Sequence, residues 1–78
     1  MQRTRITEIK PGMVLTFWHD TGAFGHNLQF ARVEKVGRVM VCVRREGGEK
    51  DVWRHLEFFN DICNDQTVAE LRQDGVDI

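Results

Sequence analysis

The strongest constraint on the fold is the stretch RVMVCVRR, residues 38–45, followed closely by Gly47-Gly48. Valine alternates there with methionine, cysteine and arginine, which is the period-two pattern of a β-strand. Two adjacent glycines accept the positive φ angles that a two-residue hairpin turn requires. Such a turn sets the register of its two strands, so we expect Val43 to face Val52 across the hairpin.

Two further strands are predicted upstream of this hairpin. Residues 13–18, MVLTFW, and 28–36, LQFARVEKV, are rich in residues that favour strands. The apolar positions of the second run change face near Ala31, which predicts a bulge or sharp bend at that point. The intervening residues 19–27, HDTGAFGHN, contain two glycines and predict a long loop.

The C-terminal third of the chain predicts mainly helical structure rather than further strands. Residues 55–62 fit both periodicities, and we expect a strand to about Arg54 followed by a helical turn. Residues 65–73 predict a short helix. Asp65 or Thr67 could be its N-cap, and Thr67 with Glu70 matches a capping box. Val68 and Leu71 would face the core, and Gly75 would end the helix. Val76 and Ile78, beyond that glycine, are expected to fray.

Strands joined by short turns, without long helices between them, indicate a meander that curls on itself. The stretch KPGMVLTFW, the loop HDTGAFGHN, the turn at Gly37 and the Gly47-Gly48 hairpin resemble the small SH3-like barrels over about residues 10–58. The ALYDY-type signature of SH3 ligand binding is absent, and the chain has no tyrosine. We predict a mainly β fold: a small SH3-like barrel of about four to five antiparallel strands over about residues 10–60, with a short C-terminal helix, in one domain, 1–78.

Composition excludes several classes of protein. The chain is 41% hydrophobic and 29% charged, as expected of a globular domain rather than a disordered one. It has no apolar run of the roughly 20 residues that a membrane helix needs, and its N-terminus lacks the apolar region of a secretory signal. Cys42 and Cys63 are too few for a disulfide framework, which favours a cytoplasmic protein with reduced thiols.

The resemblance to SH3-like barrels implies that the loop at residues 19–27 lines a binding face. Exposed aromatic residues anchor protein partners. The first functional prediction is therefore a non-catalytic module for protein–protein interaction or self-assembly. The alternative for Phe24 is that it folds back and closes one end of the barrel. The protein-binding candidates are Trp18, Phe24, His26 and Trp53.

The distribution of charge raises a second functional prediction. The whole chain has a net charge of −1, but residues 32–54 carry seven basic and four acidic residues, whereas residues 55–78 carry one and six. If the basic residues form one open surface, they could follow a phosphate backbone; the pI of 6.3 is low for such a protein. Otherwise they form a solvated face paired with nearby carboxylates. The nucleic-acid-binding candidates are Arg38, Arg44, Arg45, Lys50 and Arg54.

The histidines and cysteines predict neither a metal site nor a cofactor. Zinc sites usually contain closely spaced ligand pairs, and His19, His26 and His55 are not spaced in that way. Catalysis needs a nucleophile, a base and an orienting group together, and the sequence identifies no catalytic residue. An enzyme or metal site would have to form between subunits and bring the histidines together.

Overall fold

The computed structural model describes residues 5–20, 22–48 and 51–78, with the backbone alone for Asp20 and Phe24. Within these residues one antiparallel sheet has five strands in the order β4-β3-β2-β1-β5. The strands are β1 (Val14–Asp20), β2 (His26–Val36), β3 (Met40–Arg45), β4 (Val52–His55) and β5 (Asp61–Ile62). The other elements are three 3-10 turns (Ile6–Glu8, Gly22–Phe24, Leu56–Phe58) and the helix α1 (Asp65–Gln73).

The prediction of a mainly β fold with a short C-terminal helix is confirmed. Each of β1, β2 and β3 pairs with the strand that follows it, and β5 returns to pair with β1. The fold-level resemblance to SH3-like barrels stays a prediction.

The main hydrophobic core lies on one face of the sheet, which we call the inner face. Alternation along β1, β2 and β3 directs every second side chain to it. The core is closed by residues from outside these strands, before β1 and before β5. Its buried members are Ile9, Leu15, Phe17, Ala31, Val33, Val41, Val43 and Phe59.

The β3–β4 hairpin has the register that the glycine pair predicts. Val43 lies opposite Val52, and Cys42 lies opposite Trp53. Gly47 and Gly48 both have positive φ angles, +87° and +77°. The local turn chemistry was therefore sufficient to align these two strands.

The predicted bulge near Ala31 is wrong in position. Ala31 is paired regularly with Leu15 on one side and Arg45 on the other. The register shifts instead between Val33 and Lys35. Apolar residues change face at Ala31 because both faces of β2 are covered: Ala31 enters the main core, and Phe30 packs on the opposite face.

The long loop predicted at residues 19–27 is also wrong. Its two ends, residues 19–20 and 26–27, extend the β1–β2 hairpin, whose last residue pair is Asp20 opposite His26. Gly22 and Gly25 have φ angles of +69° and +88°. Their positive φ angles let the chain reverse within a short connection that includes the 3-10 turn Gly22–Phe24.

The ambiguous residues 55–62 contain the helical turn that was expected. Strand β4 ends at His55, the 3-10 turn covers Leu56–Phe58, and β5 then pairs Ile62 with Leu15. This turn matters for the site below, because it brings two consecutive phenylalanines against the inner face of β1.

Helix α1 has the predicted bounds but a different N-cap. The Oδ1 atom of Asn64 accepts the backbone N–H of Thr67 at 2.7 Å, so Asn64 is the cap, and neither Asp65 nor Thr67 fills that position. Thr67 supplies the backbone donor rather than the capping oxygen. Gly75, with a φ angle of +89°, follows the end of the helix as predicted.

A second hydrophobic cluster attaches α1 to the opposite, outer face of the sheet. Val68 and Leu71 face the sheet as predicted. The expected fraying of the last residues is wrong: Ile78 is 8% exposed, and its backbone oxygen accepts a hydrogen bond from Arg72 Nε at 3.1 Å. The buried members are Val14, Val68 and Ile78, and the partly buried ones are Phe30, Cys63, Leu71 and Val76.

Candidate binding surfaces of the sheet

The outer face of the β1–β2 hairpin carries an exposed apolar group near the hairpin end. Trp18 and Leu28 are directly opposite each other, and they are 56% and 42% exposed. His26 is exposed on the same face and borders a shallow apolar depression together with Trp18. We call Trp18, His26 and Leu28 the outer hairpin patch. The side chain of Phe24, which the sequence placed at this end, lies outside the described residues.

The outer hairpin patch adjoins a region that α1 covers. Along the outer face of β1, Val14 and Thr16 are buried and Trp18 is exposed. Along β2, Phe30 packs into the second hydrophobic cluster, whereas Leu28 does not. The helix thus covers one half of this two-stranded face and leaves the half at the hairpin end open.

Trp53 is not part of the outer hairpin patch. It lies on the outer face of β4, opposite Cys42, which is itself opposite Lys35 of β2. Lys35 and Leu28 are seven residues apart on one strand, roughly 23 Å at strand geometry. The structure therefore does not bring Trp18 and Trp53 together, and a common aromatic platform does not form.

The basic candidates are divided among several parts of the molecule. Arg38 lies in the β2–β3 turn and Arg44 on the outer face of β3, where its Nη2 donates to the Gly48 carbonyl at 3.4 Å. Arg45 and Arg54 lie on the inner face of β3 and β4. Lys50 lies outside the described residues. The four described arginines do not form the single surface on which the nucleic-acid prediction depends.

Arg45 and Arg54 both line a concave site on the inner face, which we call the inner cleft. It encloses about 230 Å³. Three elements build it: the end of β1, the facing halves of β3 and β4, and the 3-10 turn after β4. Its lining residues are Phe17, His19, Val43, Arg45, Val52, Arg54, Phe58 and Phe59.

Three phenylalanines form the aromatic wall of the inner cleft. The ring centroids of Phe17 and Phe58 are 5.4 Å apart, and those of Phe58 and Phe59 are 5.3 Å apart. Phe17 and Phe59 are buried in the main core, which holds their rings in place. Phe58 is 48% exposed. The wall is therefore rigid at its base and open to solvent at Phe58.

Each arginine of the inner cleft lies against one of these rings. The guanidinium carbon of Arg45 is 5.3 Å from the centroid of Phe17, and that of Arg54 is 5.8 Å from the centroid of Phe58. These distances are within the range of a cation–π interaction. Arg45 is also oriented by Gln29, whose Oε1 accepts from its Nη2 at 3.0 Å.

His19 completes the polar part of the inner cleft. Its Nδ1 lies 3.4 Å from Arg45 Nη2. Among the described lining residues there are two arginines and a histidine but no carboxylate. The cleft consequently combines an apolar floor with a positively charged rim.

Sequence reasoning identified Arg45 and Arg54 but missed this cleft. The hairpin register already assigns Val43 and Val52 to one face, whereas the sequence analysis placed His19 in a loop. The position of Phe58 depends on a 3-10 turn in a stretch whose periodicity is ambiguous. No local signal in the sequence indicates that this turn folds back against Phe17.

The three histidines lie in separate places. His19 is in the inner cleft, His26 is in the outer hairpin patch, and His55 is exposed at the end of β4. In the part of the chain that the structure describes, no three histidine, cysteine, aspartate or glutamate side chains are grouped to hold a metal ion.

Both cysteines are free thiols rather than members of a disulfide. Burial raises the pKa of Cys42, and the negative charges of Asp51 and Glu34 add to that effect against the positive charge of Lys35. Burial and then the charge of Asp61 raise the pKa of Cys63. Both groups are therefore held as neutral thiols, which are poor nucleophiles.

Comparisons with known proteins identify no relative: no family model, curated protein or solved structure matches this chain. Among the described residues, no helix has the length and apolar character needed to cross a membrane.

Proposed function

We propose that this protein is a non-catalytic binding module that associates with a second copy of itself through the outer hairpin patch. The observation that carries the proposal is the exposure of Trp18 and Leu28 as a cross-strand pair on a face that α1 covers only in part. Burying such a pair in an interface removes apolar surface from water, which favours association by about 25 cal/mol for each Å² of apolar surface buried. An aromatic residue of this kind is a common anchor of protein interfaces.

A second copy is the partner that the chain favours. In a two-fold symmetric dimer the same patch meets itself, so that one cross-strand pair can pack against its equivalent. The net charge of −1 provides little repulsion between copies. The free thiols are in keeping with a reducing compartment, and we propose the cytoplasm as the location.

The test is sedimentation velocity over a wide range of protein concentration, comparing the wild type with Trp18→Ser. We expect the wild type to shift towards a dimer as concentration rises. The substitution should weaken association at least about tenfold, the effect of losing one anchor residue. Val39→Ser is the matched control, because Val39 is also exposed but lies in the β2–β3 turn, outside the patch.

Circular dichroism of each variant shows whether it is folded before its association is measured. A wild type that stays monomeric at the highest concentration contradicts the proposal. Equal association of Trp18→Ser and the wild type also contradicts it, since the contact would then lie elsewhere.

Binding of nucleic acid has no comparable support. A polyanion would need the basic side chains to follow one continuous path. Arg38, Arg44 and the Arg45–Arg54 pair lie in three separate places. The two arginines that do lie in one site enclose a compact cleft, and they lead to a different inference.

A further inference from the structure

We propose that the inner cleft is a binding site for a compact oxyanion carried on a flat apolar body, such as an aromatic carboxylate or phosphate. The site is separate from the outer hairpin patch, because it is formed by the opposite face of the sheet. It therefore goes beyond the self-association proposed above, and either property can be lost without the other.

The floor of the cleft selects the apolar body. Phe17 and Phe59 are buried and held by the core, and Val43 and Val52 are paired across the hairpin beside them. Phe58 offers the exposed edge of the wall. A flat ring can pack on this surface with the offset or edge-to-face geometry that the three phenylalanines already use among themselves.

The rim of the cleft selects the negative charge. Arg45 and Arg54 each carry a planar guanidinium, the group that pairs with the two oxygens of a carboxylate or phosphate. Within the protein, Arg45 Nη2 donates to Gln29 and Arg54 Nη1 donates to the Trp53 carbonyl, both at 3.0 Å. Gln29 and Phe17 hold Arg45 in position, so less conformational entropy is lost when a ligand binds.

The size of the cleft limits the ligand. A volume of about 230 Å³ is smaller than the roughly 300–1,000 Å³ of typical sites for drug-sized molecules. The space suits one ring with its charged group rather than an extended chain. This limit, together with the dispersed positions of the other arginines, favours a small ligand over a polyanion.

The test is a titration of the isotope-labelled protein, followed by amide and arginine side-chain NMR signals. The probes are phenyl phosphate and N-acetyl-phenylalanine, and the neutral N-acetyl-phenylalanine amide is the ligand control. We expect saturable shifts at the end of β1, in β3 and β4, and at Leu56–Phe59. The two acids should bind at least about tenfold more tightly than the amide, since hydrogen bonds to charged groups are the stronger kind.

Variants assign the binding to the cleft. Arg54→Gln removes an exposed charge and should weaken binding of the acids about tenfold without unfolding the protein. Arg38→Gln is the matched control, because it removes the same charge from the β2–β3 turn. Trp18→Ser should leave binding unchanged, which separates this site from the outer hairpin patch.

Each outcome decides the proposal. Binding of only one acid supports it and identifies carboxylate or phosphate as the group recognised. The proposal is overturned if neither acid gives saturable shifts, or if the amide binds as tightly as the acids. It is also overturned if Arg38→Gln and Arg54→Gln weaken binding of the acids equally.

Discussion

At the scale of single residues, the face of a strand decides the chemistry of its side chains. Cys42 and Arg45 belong to the same strand, but alternation directs them to opposite faces. Cys42 is buried on the outer face, where its thiol is kept neutral. Arg45 lies on the inner face against Phe17, at the open end of the core. The parity of both residues could be predicted from the sequence, but their degree of burial could not.

The thiol of Cys42 provides a prediction at this scale. In a Cys63→Ala background, we expect iodoacetamide at pH 8 to alkylate native Cys42 at least about tenfold more slowly than in urea, because the reactive thiolate is disfavoured and shielded. Mass spectrometry over time measures both rates. Equal rates in the folded and unfolded protein would show that Cys42 is accessible.

The same pKa shift predicts how stability depends on pH. The folded state keeps the Cys42 proton to a higher pH than the unfolded state, for which the ordinary value is 9.0. The contribution to the free energy of unfolding is therefore complete below about pH 9 and decreases as the pH rises above it. Urea titrations at pH 7.5 and pH 10 measure how much stability is lost between these two pH values. That loss should be smaller in the Cys42→Ala/Cys63→Ala double variant than in Cys63→Ala alone.

At the scale of elements, contacts between residues close in sequence determine the geometry of a turn or a helix cap. The Gly47-Gly48 pair correctly predicted the register of β3 with β4. The glycines at residues 22 and 25 were interpreted as a long loop, although they close a hairpin. Glycine indicates where the chain can turn, whereas pairing of the flanking residues decides how far the strands extend.

The N-cap of α1 gives a prediction at the element scale. Asn64→Ala removes the oxygen that accepts the Thr67 N–H, and we expect it to lower the free energy of unfolding by about 1 kcal/mol. Asp65→Ala, at the first helical residue, should cost less than about 0.5 kcal/mol. Urea denaturation measures both. A larger loss in Asp65→Ala than in Asn64→Ala would contradict the observed cap.

At the scale of the whole molecule, two clusters on opposite faces of one sheet hold the protein together. The inner cluster unites the strands, and the outer cluster attaches α1 and the C-terminal residues. Because the helix covers only part of the outer face, the same packing that stabilises the protein leaves Trp18 and Leu28 exposed. The outer hairpin patch is thus a part of the outer face that the outer cluster leaves uncovered.

The coupling between α1 and the sheet can be tested through Val68. Val68→Asp places a charge in the outer cluster beside Val14, and we expect it to lower the free energy of unfolding by about 2 kcal/mol or more. Ala69→Asp adds the same charge at the exposed neighbouring position and should cost less than about 1 kcal/mol. Similar losses in both variants would mean that α1 does not depend on this contact.

The sequence by itself determined the strand character, the β3–β4 register and the bounds of the C-terminal helix, because these depend on residue periodicity and on contacts between near neighbours. Only the tertiary structure decided which outer residues α1 covers and how Phe58 and Phe59 meet Phe17 to form the inner cleft. Periodicity assigns a side chain to a face, but burial of that face depends on a segment distant in sequence. Both proposed binding surfaces arise from such long-range packing.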